Sequence, residues 1–314
     1  MLRPSSLLFQ AACFISKDAR FVEKIRLLDY WGIQDSALSS EFRRSMFLLM
    51  VDGKPMVKKD GRTINLAFCN YPGRFCEESS AWKIASELRM TLLGIEDEKQ
   101  RNLLAKFQSL SRWSHIYRRC PRCGSVLRMR VSKSAAKCVA CSRIYYPTLH
   151  PVTLTLVSNS ADSHALLIRH KGSAGGVYTT ISGYANAGES LEDCVRREVA
   201  EEVGILVSDV VSLSHSQPWP MPDSSLMCAH YAIADMTAKI TVCPGELEAA
   251  RWCSREEVAH ALQRTLSDPF LKGLSKDIDD SQELMYIPPQ GAIAHHIIKL
   301  WVNRDLFSNF RGKA

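Results

Sequence analysis

The sequence predicts an α/β protein in three parts: a small α+β domain over residues 1–114, a zinc ribbon over 115–146 and a larger α/β domain over 147–314. Three observations carry this. Cys120/Cys123 and Cys138/Cys141 form two Cys-x2-Cys pairs with fourteen residues between them, close to the spacing of a four-thiolate zinc site. Downstream, apolar runs separated by turn residues lead into one amphipathic helix bounded by Ser190 and Gly204. Upstream, short apolar runs are followed by helical patterns, as in an α+β unit.

In chain order, residues 1–17 hold Arg3, Lys17, serines and no acid, which fits either a short transit segment or an arm of the first domain. Phe47–Val51 before Asp52-Gly53, and Thr63–Phe68, read as strands. Helical patterns cover about 80–93 and 96–113, and nothing in this part carries recognisable chemistry. The ribbon follows, with Gly124 in a knuckle turn. Four thiolates leave no open coordination position, so zinc there holds structure. Pro147 and Pro151 mark the way into the α/β domain, where Val152–Val157, Ala165–Ile168 and Val177–Ser182 read as strands. Met227–Ala234 and Lys239–Val242 read as further strands. Ser254 and Glu257 form a capping box for a helix to about Arg264, residues 265–284 read as loop, and a last helix opens in Ile287–His296.

The charge is divided. Residues 1–150 hold 26 Lys and Arg against 13 acids, while 151–314 hold 14 against 20, within a net charge of +7. No acid occurs between Glu98 and Asp162. Such a block favours polyanions, or simply balances the acidic half. Eleven cysteines, an odd number, suit a reducing intracellular compartment better than a disulfide framework. The choice among cytoplasm, peroxisome and mitochondrion stays open, although the terminal Gly312-Lys313-Ala314 is not of the peroxisomal type. No apolar run reaches the ~18 residues of a membrane span, so no membrane partner is expected.

The chemistry concentrates in Gly183–Ile205. Ser190 is a good N-cap with Asp193 at the capping-box position, and Gly204 stops the helix. Leu191, Val195, Val199 and Val203 form an apolar stripe. Glu202 projects between Leu191 and Val195, and Glu198 lies at the stripe's edge. A solvated charged face would point the other way. Carboxylates beside a buried stripe require a cation, and hard oxygen donors suit Mg²⁺ or Mn²⁺. Arg197 can hold a carboxylate in a bidentate pair. The helix therefore reads as a divalent-metal site for a phosphate-containing substrate.

Gly183, Glu189, Arg197-Glu198-Val199, Glu201-Glu202 and Gly204-Ile205 meet every specified position of the Nudix box, which this stretch resembles. Ser216-Gln217-Pro218-Trp219-Pro220-Met221-Pro222-Asp223-Ser224 resembles the SQPWPFPxS signature of the NADH pyrophosphatase branch of that family. The resemblance runs from about Trp113 to Trp301 and is loose over the first 110 residues.

It implies a Nudix α/β/α sandwich with a mixed sheet, and hydrolysis of the NADH pyrophosphate to reduced NMN and AMP. NAD⁺ and NAD-capped RNA are implied as related substrates. It further implies two or three Mg²⁺ or Mn²⁺ per subunit on Glu198, Glu201, Glu202 and Glu246, with Glu248 as neighbouring competitor and a backbone carbonyl from Ser182. One zinc per subunit would sit on the four cysteines. A box glutamate, or Glu189, would orient or deprotonate water.

Substrate contacts fall on Gln217, Pro218, Trp219, Pro220, Met221, Pro222, Asp223, Ser224 and Ala294. In a homodimer Tyr146 would reach the partner's substrate. Physically, three prolines stiffen the loop, Trp219 offers a stacking platform, and Gln217 and Ser224 offer hydrogen bonds. The chain departs from the family pattern at Asn186, Ser182 and Lys133. Two rivals remain: a non-catalytic nucleotide-sensing Nudix module, which intact Glu198, Glu201 and Glu202 disfavour, and an RNA-binding protein working through the ribbon and basic block.

Overall fold

The computed structural model describes residues 46–48, 50–51, 54–60, 63–70, 82–85, 87–130, 133–271, 273 and 283–306. The expected transit segment or arm at 1–17 and the terminal tripeptide lie outside them. Two compact units emerge: residues up to Leu149 with Pro220–Ser224, and His150–Trp219 with Ser225 onward.

The first unit contains β1 (Met46–Leu48), β2 (Met50–Val51), β3 (Lys54–Asp60), β4 (Thr63–Leu66), β5 (Phe68–Asn70) and β6 (Trp82–Ile84). Helices α1 (Leu88–Gly94) and α2 (Glu98–Ile116) follow, with Asp97 capping α2 by accepting from the N–H groups of Lys99 and Gln100. The expected helix over 80–93 is corrected: Trp82–Ile84 is a strand paired with β3, Ile84 opposite Met56. Ladder pairing at a β-prone Trp-Lys-Ile overrides the helical pattern there. The ribbon is a three-stranded antiparallel sheet of β7 (Leu127–Met129), β8 (Ala136–Cys138) and β9 (Ile144–Tyr145). Its inner side packs Leu127, Ala136 and Cys138 against Trp113 near the end of α2.

The second unit is built on β10 (His150–Ser158), β11 (His164–His170), β12 (Ile181–Tyr184), α3 (Leu191–Val203), β13 (Val207–Trp219), β14 (Ser225–Ala234) and β15 (Leu247–Ser254). Helices α4 (Arg255–Ser267) and α5 (Ile293–Val302) complete it. The sheet order is β13-β14-β10-β11-β15 with β12 on β10. It is mixed, because β10 and β14 run parallel while the other pairs are antiparallel.

Residues alternate between two cores, as strand pleating requires. Leu166 and Ile168 face a cluster with Val195, Val199 and Val203 of α3. Ala165 and Leu167 face a cluster with Val258 and Leu262 of α4 and Ile297 and Trp301 of α5. This is the α/β/α sandwich that the Nudix resemblance implies. Strands covered on both faces read as continuous apolar runs, which is why β10 and β11 were legible.

Three expected elements change. Lys239–Val242 joins no sheet; instead the Thr241 and Cys243 N–H groups donate to the carbonyls of Val203 and Glu202, closing the open end of α3. Val177–Ser182 contributes only the start of β12, Ile181 and Ser182, while Thr179 and Val177 make single bridges to Ile168 and Tyr286. The last helix begins at Ile293, not near Ile287, since Pro288 and Pro289 hold the preceding chain out of helical geometry.

Candidate active site

Helix α3 is fixed at both ends by local chemistry. Ser190 Oγ accepts from the Asp193 N–H at 3.1 Å, and Gly204 takes φ +71 to end the helix. The capping box is not reciprocal: the Asp193 carboxylate receives the Ser190 hydroxyl at 2.7 Å instead of the Ser190 N–H. Val195, Val199 and Val203 are fully buried, and Leu191 is half-buried.

Arg197 organises the carboxylates. Its Nε and Nη2 donate to the two oxygens of Glu189 at 2.8 and 2.9 Å, the bidentate pair anticipated from its type. Nη1 donates to Glu198 at 2.7 Å and to Glu201 at 2.9 Å, while Nη2 also reaches the Tyr184 carbonyl at 2.8 Å. One guanidinium thus pins β12, the loop before the helix and the helix itself. The Asn186 N–H donates to Glu189 at 2.8 Å. Arg197 first, then this N–H, holds the Glu189 carboxyl down at about 2. Glu189 is therefore a fixed anion and a poor proton acceptor.

Glu198 and Glu202 are the opposite case. They are 9% and 2% exposed, whereas Glu201 and Glu246 are exposed. Burial raises the Glu198 carboxyl despite its bond to Arg197. Burial, with the charges of Glu198 and Glu246 added, pushes Glu202 up to about 8. Glu202 Oε2 is buried with no hydrogen-bond partner. An ionised carboxylate so placed is costly unless a cation meets it.

Gly183 supports the same conclusion. A Cβ there would stand 1.8 Å from Glu198 Cδ, so β12 presses its backbone onto the carboxylate. An orphaned buried oxygen, a carboxylate seated on bare backbone and an all-oxygen donor set together fit a hard divalent ion. Ser182 lies beside Gly183 on β12. Glu246 sits in a turn where its N–H donates to the Cys243 carbonyl and its own carbonyl accepts from the Lys171 N–H, and its charge acts on both Glu198 and Glu202. Glu248 instead pairs with Arg169 at 3.2 Å and accepts from the Gly172 N–H.

The residues expected to bind substrate divide. Trp219 ends β13 opposite Ser225, half-buried beside Pro218. The Gln217 amide bonds its own chain, Nε2 donating to the Gly291 carbonyl at 2.8 Å and Oε1 accepting from the Ile293 N–H at 2.9 Å. It splices β13 to the start of α5, an interaction 76 residues long-range that no local spacing encodes. Ala294, next to that splice, is packed in the core at 4% exposure. Within the first unit, Pro220 is buried, Met221 and Ser224 are half-buried, and Arg112 holds both the Pro222 carbonyl and Asp223. Tyr146 is 62% exposed.

The ribbon cysteines converge: the sulfurs of Cys120, Cys123, Cys138 and Cys141 all lie within 4.8 Å of one another. Equivalent turns follow each pair, with Gly124 at φ +71 and Ser142 at φ +58, and with N–H groups of Gly124 and Ser142 bonding the carbonyls of Cys120 and Cys138. Tyr145, unremarked in the sequence, places its hydroxyl 3.1 Å from Cys120 Sγ. That contact, ahead of backbone N–H groups, lowers the thiol to about 6 and favours the thiolate that zinc needs. Gly183 and Tyr145 are the residues that sequence reading passed over: one was taken as a motif letter, and the other had no signal beyond adjacency to the ribbon.

Comparison with known proteins agrees with this geometry. A family model described as the NUDIX domain matches residues 148–274. "NAD-capped RNA hydrolase ndx-9" of Caenorhabditis elegans is 46% identical over 344 aligned positions, covering 93% of this chain and 92% of that one. "NAD(P)H pyrophosphatase NUDT13, mitochondrial" of Homo sapiens is 37% identical over 226 positions, covering 71% of this chain and 60% of that one. "NAD-capped RNA hydrolase NUDT12" of Macaca fascicularis is 35% identical over 213 positions, covering 65% and 42%. With the box folded into an arginine-ordered carboxylate site and a relative of nearly matching extent, this chain belongs to the Nudix family.

Proposed function

We propose that the protein hydrolyses the pyrophosphate bond of NADH and NAD⁺, giving reduced NMN or NMN together with AMP. The observation that carries this is the Arg197-ordered carboxylate set around Glu202, whose buried oxygen lacks a donor. Relatives named as an NAD(P)H pyrophosphatase and as NAD-capped RNA hydrolases supply the substrate class.

In this reading Glu198, Glu201, Glu202 and Glu246, with the Ser182 carbonyl, hold two or three Mg²⁺ or Mn²⁺ ions. Bound there, the ions neutralise the diphosphate and lower the pKa of water. Arg197 keeps Glu198 and Glu201 in position, and Glu189 serves as the anchor of that guanidinium. Proton abstraction then falls to one of Glu198, Glu201 and Glu202. Trp219 stacks on a ring of the dinucleotide, and Pro220, Met221, Pro222, Asp223 and Ser224 supply further substrate contacts. One zinc on the ribbon cysteines stabilises the fold, and the protein works as a homodimer to which the exposed Tyr146 contributes. Gln217 acts on substrate only indirectly, by holding the start of α5.

The test is incubation of purified protein with NADH and Mg²⁺ or Mn²⁺, followed by identification of the products. Reduced NMN and AMP are expected; turnover without added divalent ion, or no turnover with either ion, overturns the reading. The second reading, NAD-cap removal from RNA by the same chemistry, is favoured by the nematode relative's name and near-complete overlap.

A further inference from the structure

The ribbon carries more positive charge than a zinc site uses. Residues 115–146 contain eight Lys and Arg and no acid, while zinc on four thiolates leaves a formal charge of only about −2. Strand register collects part of the excess on one face. Arg128 on β7 stands directly opposite Lys137 on β8, and Lys137 opposite Ile144 on β9. Arg119 bridges Val126, two positions before Arg128. Cross-strand partners share a side, as do residues two apart. Arg119, Val126, Arg128, Lys137 and Ile144 thus form one outer face, and all five are exposed.

Folding does not require that arrangement. Like charges directly opposite on paired strands are destabilising. Among the described residues Arg119, Arg128 and Lys137 make no ion pair. The face is also not uniformly polar, with Val126 50% and Ile144 40% exposed beside the cations. Cations interleaved with small apolar surface suit a polyanion whose phosphates are regularly spaced and whose bases are unstacked.

We infer that this outer face of the ribbon binds the phosphate backbone of single-stranded RNA, as a second grip on the body of a capped substrate. The choice of occupant rests on the capped-RNA reading; the face itself rests on register and charge.

The test uses full-length protein with its zinc content verified, and one single-stranded RNA prepared with and without an NAD cap. In the variant Arg119→Ala/Arg128→Ala/Lys137→Ala, affinity for uncapped RNA falls roughly 10-fold at about 0.1 M salt, and the slope of log K against log salt shrinks by about 2. KM for capped RNA rises by a similar factor with kcat unchanged, and NADH turnover stays at the wild-type level. If the triple variant loses zinc, Arg128→Glu alone is read in the same way. Unchanged RNA affinity and salt slope overturn the inference. So does binding of polyglutamate as tight as RNA, which reassigns the face to acidic proteins. Should wild-type protein cleave NADH but leave capped RNA intact, the capped-RNA reading fails by itself, and the uncapped-RNA measurement still decides the face.

Discussion

Gly183→Ala isolates the close approach of β12 to the metal-site helix. The added Cβ would lie 1.8 Å from Glu198 Cδ and 2.1 and 2.2 Å from its oxygens. Carbon atoms in contact sit about 3.5–4.0 Å apart, so the carboxyl group must retreat by about 2 Å. That retreat also breaks its 2.7 Å bond from Arg197. Because the obstacle is the end of a rotatable side chain, the stability cost belongs to the modest overpacking range, about 1–3 kcal/mol. Function suffers more, since a displacement of about 1 Å in a catalytic group costs on the order of 100-fold. The expected result is a fall of at least ~100-fold in kcat/KM for NADH, with Tm lowered by only a few degrees and zinc retained. Gly172→Ala is the control: φ is +73 with nothing within 4 Å of the new Cβ, so it carries a left-handed strain of about 1–2 kcal/mol and keeps activity. Near-wild-type turnover in Gly183→Ala would refute the placement of Glu198. A stability loss without an activity loss would show that the contact is packing alone.

Glu202→Gln keeps volume but removes a buried charge, and NADH turnover should drop at least ~100-fold; turnover within a few-fold of wild type would remove Glu202 from the mechanism. The same carboxyl gives a pH dependence. Its folded value of about 8 lies above the unfolded one, near 4.3, so its contribution to stability is full below the unfolded pKa and is lost as pH rises through 8. In buffer free of divalent ions, Tm should therefore be lower at pH 8.5 than at pH 6 by more in wild type than in Glu202→Gln, and added Mg²⁺ should restore it more at the higher pH. Equal slopes in the two proteins would contradict the assignment. Cys120→Ser should lose zinc by elemental analysis and lower Tm, because structural zinc contributes folding free energy directly; a mutant with full zinc and unchanged Tm would count against the ribbon. Trp219→Ala should reduce kcat/KM for NADH by about 5- to 150-fold, the equivalent of roughly 1–3 kcal/mol of stacking, without changing metal-dependent stability. A smaller loss with ADP-ribose places the nicotinamide on the indole, an equal loss places the adenine there, and no loss with either makes Trp219 a packing residue.

The sequence by itself determined whatever is encoded by neighbours along the chain. Helix α3 begins at Ser190 and stops at Gly204 because cap chemistry acts within one turn. Its buried stripe and the inward-leaning Glu198 and Glu202 follow from a fixed 100° per residue. The ribbon follows from thiolate spacing, and β10, β11 and β14 from runs long enough to be covered on both faces. Only the tertiary structure decided how segments distant in sequence use their polar groups. Gln217 joins a core splice to α5, and Thr241 and Cys243 direct their N–H groups to the end of α3. Asp162, silent in the sequence, gathers the Trp301 indole at 2.6 Å, the Tyr231 hydroxyl at 3.0 Å and Arg255 at 2.7 Å across the sandwich. Gly183 is required because sheet register brings β12 onto Glu198, and the ribbon's charge forms a face because Arg128 and Lys137 fall opposite one another. Periodicity and spacing report local geometry, whereas these pairings depend on strand register and layer packing, which a single chain read in order does not display.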